Sequence, residues 1–244
     1  NNFHNEGRKS LIRNYYCPGF VALQTQMSYR MKTNIADIRR DYTKGGLRRR
    51  DLNENPLDQF RKWLDEAISS KVDEPTAVLI GTVSPEGRPS TRCVLLKELR
   101  DGQFVFYTNY ESRKGSHLAN NPYISLTFLW HQLERQVHVE GIAQKVSPQE
   151  SDAYFRTRPY KSRIGARVSP QSHPIPNRGV IVKSFMQESL RYIGREVERP
   201  ANWGGYAVTP HRIEFWQGRE SRLHDRFLYT LQADNTWTIE RLAP

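Results

Sequence analysis

The sequence predicts a mainly β protein, an antiparallel barrel carrying peripheral helices. Three observations lead there. Runs rich in β-branched and aromatic residues recur at TAVLIGTV (76–83), STRCVLLKEL (90–99), QFVFYTN (103–109), YISLTFLW (123–130) and ERQVHVEGIAQKV (134–146). Four more strand-like runs, YAVTP, RIEFWQ, RFLYTL and TWTIERL, close the chain. Helical patterns interrupt the strands without the βαβ alternation that marks a parallel sheet.

In chain order, residues 1–34 show no sustained period and are rich in Asn and basic residues, so they are expected to form a disordered or non-native leader. Met27 and Met31 stand just before the first organised segment. A single domain is expected over 35–244. Asn55 as N-cap and Pro56 at the first helical position announce a helix whose apolar stripe is Leu57, Phe60, Leu64 and Ala67. The turns SPEGR and RDG join the next three strands into a meander. A short helix is expected at Ser112–Ala119, stopping before Asn121 and Pro122, and a second hairpin follows. Ser147, Pro148 and Glu150 supply an N-cap, a proline at N1 and a capping-box acid, so a helix runs from there to about Arg158, where Pro159 ends it. Another is expected over about 180–193, with Ile181, Phe185 and Leu190 buried.

The chain has 244 residues, enough for a substantial core without staples. Its two cysteines, Cys17 and Cys93, support neither a disulfide framework nor a thiolate metal site and suit a reducing, cytoplasmic compartment. No apolar run reaches the roughly 20 residues of a membrane-spanning helix, so no membrane partner is expected. The net charge of +11 is uneven: residues 1–50 hold 11 Lys/Arg against 3 Asp/Glu, and the rest is nearly neutral. A nucleic-acid binder more often spreads such charge over a folded face, so no nucleic-acid partner is expected either. Arg48, Arg49 and Arg50 are set aside as a separate feature, with a regulatory anion site as one reading of it.

Phosphate loops, G-x-G-x-x-G, H-E-x-x-H and G-x-S-x-G are all absent, and the seven histidines form no ligand pair at helical spacing, so no metal is expected. What remains is basic and hydroxyl side chains beside apolar strands. In TRCVLLK, strict alternation would turn Arg92 and Lys97 to opposite sides. Ser112, Arg113 and Lys114 open a short helix, where free amide groups favour a phosphate. Tyr154 and Arg158, four apart with Ser162 beyond, read either as a phosphate clamp or as a surface helix with an exposed arginine. Gln136 reads equally as an ordinary polar face, Gln171 and Ser172 as loop, and Trp216 as core. In SRLHDR (221–226) a period of two would place Arg222, His224 and Arg226 on one strand face, either an anion site or a positively charged edge.

Taken together, RRDYTKGGLRRRDL (39–52), VLLK (94–97), FYTN (106–109), ESRKG (111–115), ERQVHVEG (134–141), RIGARVSPQS (163–172), WGGY (203–206), IEFWQG (213–218), RLHDRFLY (222–229) and the terminal ERLAP closely resemble the pyridoxine (pyridoxamine) 5′-phosphate oxidase family. The resemblance runs in order from about residue 36 to the C-terminus. It implies an FMN-binding split β-barrel, a homodimer with FMN at the subunit interface, and oxidation of pyridoxine or pyridoxamine 5′-phosphate by O2. Flavin contacts then fall on Arg92, Cys93, Val94, Leu95, Leu96 and Lys97, on Tyr107 and Thr108, on Arg113 and Lys114, and on Gln136, Gln171, Ser172, Trp216 and Arg226. Lys97, Tyr154, Arg158 and Ser162 would surround the substrate phosphate. Arg222, Leu223 and His224 would lie at the pyridine ring, Arg222 and His224 being the catalytic pair, with Arg39, Arg40, Asp41 and Tyr42 as a covering segment. Two departures are YFRTRP (154–159) for the family's YFHSRP and Glu74 for an Asp before PTA. Competing readings are another split-barrel FMN oxidoreductase, favoured if the Tyr154/Arg158/Ser162 clamp holds nothing, or a vitamin-phosphate carrier or basic nucleic-acid module without turnover.

Overall fold

The computed structural model describes Ile38 and residues 41–244. The expected leader 1–34, the domain start at 35, Cys17, Arg39 and Arg40 lie outside the described residues. The elements are α1 (Pro56–Ser69), β1 (Ala77–Val83), β2 (Pro89–Leu95), β3 (Glu98–Arg100), β4 (Gln103–Asn109), α2 (Arg113–Asn120), β5 (Tyr123–Trp130), β6 (Arg135–Lys145), α3 (Pro148–Thr157), α4 (Tyr160–Val168), α5 (Arg178–Arg191), β7 (Trp203–Gln217), β8 (Asp225–Leu231) and β9 (Trp237–Leu242). All pairings among the nine strands are antiparallel, in the order β2-β1-β5-β6-β7-β4-β3, with β8 on β7 and β9 on β8. This is the split-barrel fold.

Two irregularities make the barrel. YAVTP and RIEFWQ, read as separate strands, form one strand, β7, whose first half pairs with β4 and whose second half pairs with β8. The change falls where the β6–β7 register shifts between Glu140 and Gly141, opposite Pro210. A bulge there accommodates a proline that cannot donate to the ladder. The run 90–99 is likewise not one strand. Leu96 N–H donates to Thr76 O and Lys97 N–H to Val105 O, both at 2.8 Å, so consecutive amides bond to opposite sides of the opening and β2 gives way to β3.

Helix α1 closes one end of the barrel. Asn55 Oδ1 accepts from Leu57 N–H at 2.8 Å, and the helix drives Phe60 and Trp63 into the core. Phe60 meets Phe104 and Phe128 edge-on at 4.9 and 4.8 Å, and Trp63 meets Phe215 at 5.2 Å. Its C-terminus ends in a Schellman arrangement: Val72 N–H reaches Ala67 O and Lys71 N–H reaches Ile68 O, both at 3.0 Å, with Lys71 left-handed at φ 54°. Lys71→Gly is expected to stabilise the fold by about 1 kcal/mol, because a side chain is strained there. A rise in the thermal midpoint checks this, and an unchanged or lower midpoint contradicts it.

Helix α2 begins as expected with Ser112 as N-cap, and α3 carries the reciprocal capping box of Ser147 and Glu150. Gly115 is obligatory: a Cβ there would sit 2.0 Å from Tyr110 O, so only glycine lets α2 lie this close to the end of β4. Helix α4 was not expected. Pro159 ends α3 yet stands as N-cap of the next helix, and Ile164 anchors α4 in a small second core with Phe155, Val197 and Trp203. Helix α5 lies where expected but buries no residue fully. Ile181 and Phe185 are half-buried, whereas Leu190, expected in the core, is 69% exposed. No described helix is long and apolar enough to cross a membrane.

Candidate active site

One cavity of about 810 Å³ opens between β2, β4, the start of α2, the α3–α4 junction and the 171–172 loop. Its lining includes fourteen of the residues singled out from the sequence: Arg92, Cys93, Val94, Leu95, Lys97, Tyr107, Thr108, Arg113, Lys114, Tyr154, Arg158, Ser162, Gln171 and Ser172. Arg92 and Lys97, expected on opposite sides, line it together because the strand breaks at Leu96, which is itself buried. Ser90, Thr91, Thr157 and Trp203 also line it and were not singled out individually. Trp203 had a signal in WGGY, but its role depends on contacts that the sequence does not display.

The electrostatics are one-sided. Arg92, Lys97, Arg113, Lys114 and Arg158 line the cavity, and among the described residues no carboxylate does. Lys114 is 7% exposed and donates to Thr108 Oγ1, Ser112 Oγ and Gln171 Oε1 at 3.0–3.1 Å, three neutral acceptors. Burial, assisted by the nearby Arg92 charge, pushes its pKa down to about 8. Arg158, the residue just past α3, lies with its guanidinium carbon 4.5 Å over the Trp203 ring. Its Nη1 is buried with no hydrogen-bond partner among the described residues, and burial lowers its pKa. Tyr154 stacks on Tyr107 at 3.8 Å. Burial, with the Glu98 carboxylate next, pushes Tyr107 up to about 12, so it remains a phenol that can donate. Cations deprived of counter-ions call for a ligand that brings negative charge.

The remaining candidates assemble elsewhere. Gln136, Trp216 and Arg226 form one row across β6, β7 and β8, with Leu129 of β5 beside Gln136. None of them lines the cavity, and β6 stands three strands from β2 in the sheet. Trp216, whose ordinary assignment is the core, is only half-buried. Arg226 is engaged on every nitrogen: Nε and Nη2 hold Glu214 at 2.7 and 3.0 Å, and Nη1 reaches Ala243 O at 2.9 Å.

SRLHDR is not a strand. Glu220–Arg222 makes a 3-10 turn in which Ser221 and Arg222 are left-handed, at φ 55° and 60°, and β8 starts at Asp225. Two successive left-handed residues break the alternation, so Arg222, His224 and Arg226 do not share a strand face. Arg222 and Leu223 are exposed. His224 packs against Trp216 at 4.6 Å and Tyr42 at 5.3 Å, and its Nδ1 accepts from Arg219 N–H at 3.1 Å. Gly218 is needed there because a Cβ would come within 2.5 Å of Tyr42. Residues 44–47 are tied to the sheet by Lys44 N–H to Glu134 and Leu47 N–H to Asp225, at 2.8 and 3.0 Å. Tyr42 and Leu223 line a second cavity of about 490 Å³, and Asp41 is exposed and lines neither. Glu74 is exposed at φ 45°, also away from both cavities. Arg49 is held bidentately by Glu54 at 2.8 Å, which removes one charge from the Arg48–Arg50 run.

Comparison with known proteins gives this geometry a context. Residues 64–192 match the family model described as pyridoxamine 5′-phosphate oxidase. A Bacteroides fragilis protein named pyridoxine/pyridoxamine 5′-phosphate oxidase is 70% identical over 211 residues, 86% of this chain and 90% of that one. The chain belongs to the pyridoxine/pyridoxamine 5′-phosphate oxidase family. A Porphyromonas gingivalis relative of the same name is 60% identical over 214 residues, 88% of this chain and all of that one. These identities carry the reading of the chain as an oxidase of this family. Residues 203–244 match a second model, the pyridoxine 5′-phosphate oxidase C-terminal dimerisation region, which contains β7, β8 and β9 and hence Trp216 and Arg226. Among solved structures, PhzG from Burkholderia lata 383, in complex with tetrahydrophenazine-1-carboxylic acid, superposes with a TM-score of 0.76 at 27% identity, covering 80% of this chain and 95% of that one. A pyridoxamine 5′-phosphate oxidase-related, FMN-binding protein from Nostoc punctiforme shares the fold at a TM-score of 0.62 and 18% identity, over 76% of this chain and 97% of that one.

Proposed function

We propose that the protein is a cytoplasmic, FMN-dependent homodimer that oxidises pyridoxine 5′-phosphate or pyridoxamine 5′-phosphate to pyridoxal 5′-phosphate. The observation that carries this reading is a cavity lined, among the described residues, by five cations and no carboxylate, in which one buried arginine nitrogen has no partner among those residues. Two phosphorylated ligands account for so many cations. Arg92, Arg113 and Lys114, with Gln171 and Ser172, gather at the start of α2, where free amides add to the attraction, and suit the FMN phosphate. Lys97, Tyr154, Arg158 and Ser162 suit the phosphate of the substrate. FMN, when bound, would supply the two-electron chemistry, accepting a hydride from the substrate C4′ and reducing O2 to H2O2; the alcohol then gives the aldehyde directly, and the amine gives an imine that water hydrolyses with release of ammonia.

The chain's own residues bind, orient and exclude water. Trp203 supports Arg158 from one face, so the guanidinium edge is left for a phosphate. His224 accepts at Nδ1, so in its neutral form the proton sits on Nε2, the atom it offers to the substrate. Tyr42 and the segment tied down at Lys44 and Leu47 cover that histidine. Within one subunit the cavity and the Gln136–Trp216–Arg226 row are separate, and Leu129, beside Gln136 on the outward sheet face, is 56% exposed. A second copy covering that face and laying its row over the cavity would complete the flavin site and protect it from water.

The deciding experiment is the visible spectrum of the FMN-loaded protein under anaerobic conditions. Adding pyridoxine 5′-phosphate is expected to bleach the flavin band, and air to restore it with formation of pyridoxal 5′-phosphate. A bound flavin that stays oxidised with both substrates would overturn the proposal in favour of another flavin reaction or a carrier.

A further inference from the structure

Among the described residues, His117 is the only histidine that is buried, and the function above gives it no task. It lies on α2, three residues past Lys114, with its Nδ1 3.0 Å from Thr82 Oγ1 on β1. Thr82 is 1% exposed. The same oxygen accepts from Arg92 Nη1 at 2.7 Å, and Nη1 also reaches Ile80 O at 3.3 Å. Arginine has donors only, and a hydroxyl has one proton to give. Thr82 accepts from Arg92 and keeps one proton, which it can give to His117 Nδ1; that assignment makes the imidazole the neutral tautomer protonated on Nε2. A doubly protonated ring would direct a second donor at Thr82 and leave the hydroxyl proton stranded where water does not reach.

We propose that His117 is a positioning residue for the cofactor cavity: acting through Thr82, and only as the neutral Nε2–H tautomer, it fixes the guanidinium of Arg92. With Nη1 committed to Thr82 and Ile80, Arg92 keeps Nη2 and Nε for a ligand, and the bond to Thr82 sets their direction. The relay joins α2, which carries Arg113 and Lys114, to β2, which carries Arg92, so three cations from two elements hold one arrangement. The charges that bear on His117 are opposed. Glu86, in the β1–β2 turn, attracts its cationic form, while Arg92 beyond Thr82 and Arg113 and Lys114 on its own helix repel it. The inference deepens the reading of this cavity as an FMN site and rests on it.

The test is FMN affinity of the full chain, read from quenching of flavin fluorescence at pH 7.5, with apo thermal unfolding alongside. His117→Leu is expected to bind FMN about tenfold more weakly at pH 7.5, the worth of one charge-assisted contact. Thr82→Val is expected to lose a similar factor, and the double variant no more than Thr82→Val alone. His117→Asn keeps an acceptor near the Nδ1 position. It is expected to retain wild-type affinity at pH 7.5. Wild-type affinity in His117→Leu, or losses in the two single variants that add, overturns the proposal. If His117→Leu does not fold, a His117→Asn protein that folds and binds FMN about tenfold more weakly than wild type overturns it. A wild-type chain that takes up no FMN would instead overturn the cofactor reading itself.

Discussion

Replacing Arg158 with methionine is expected to raise the KM for pyridoxine 5′-phosphate about 100-fold, with FMN affinity changed less than twofold. The factor corresponds to roughly 2.7 kcal/mol, within the range for a charge-assisted contact to a phosphate. Arg158 has a buried Nη1 without a partner among the described residues and a pKa lowered by burial, so it is a cation held ready at a cost to the empty protein. Methionine keeps much of the contact with Trp203 and removes the buried charge. The apo protein is therefore expected to melt no lower than wild type, and this sign separates a ligand-binding role from a structural one. Steady-state kinetics with a parallel thermal melt decide the matter. An unchanged KM would show that the phosphate sits elsewhere, and a lowered midpoint with equal loss of FMN binding would make Arg158 a structural residue.

The second large effect is on pH. Burial and the Arg92 charge push Lys114 down to about 8 in the protein without ligand, and a phosphate dianion placed beside it favours the protonated amine. Proton uptake then accompanies FMN binding above pH 8. FMN affinity is expected to be flat from about pH 7 to 8 and to fall above 8, approaching tenfold per pH unit. Apo stability runs the other way. The folded pKa lies below the unfolded value, so the unfolded chain binds more protons between about 8 and the ordinary lysine value, and stability gains from Lys114 as pH rises through that window. Lys114→Met is expected to weaken FMN binding and to flatten both profiles. Titrations of FMN affinity and of the apo thermal midpoint from pH 7 to 10 test this, and a wild-type affinity that is level across that range would contradict it.

Much of the fold could be read locally. Strand runs such as YISLTFLW alternate buried and half-exposed positions as a one-sided sheet requires, and the helix starts at Asn55, Ser112 and Ser147 satisfy amides within three residues of themselves. These features depend only on neighbours in sequence. The cations were also legible, because Arg and Lys beside apolar strands are conspicuous. Which of them share a space was not. Arg92 and Lys97 come together only because successive amides at Leu96 and Lys97 choose different strand partners, and Leu190 is exposed because nothing among the described residues packs over its side of α5.

By itself, then, the sequence determined the antiparallel β class, three helix starts, the inventory of cations and hydroxyls, and the family resemblance, all carried by short-range pattern or by ordered motifs. Only the tertiary structure decided that SRLHDR turns instead of extending, since left-handed backbone at Ser221 and Arg222 is imposed by the chain around them and is not favoured by those side chains. It also decided that the flavin candidates fall into a cavity and a distant row, and that a buried histidine reaches Arg92 through Thr82. Those are contacts between residues remote in sequence, and their geometry is set by strand register and helix packing, which local pattern does not encode.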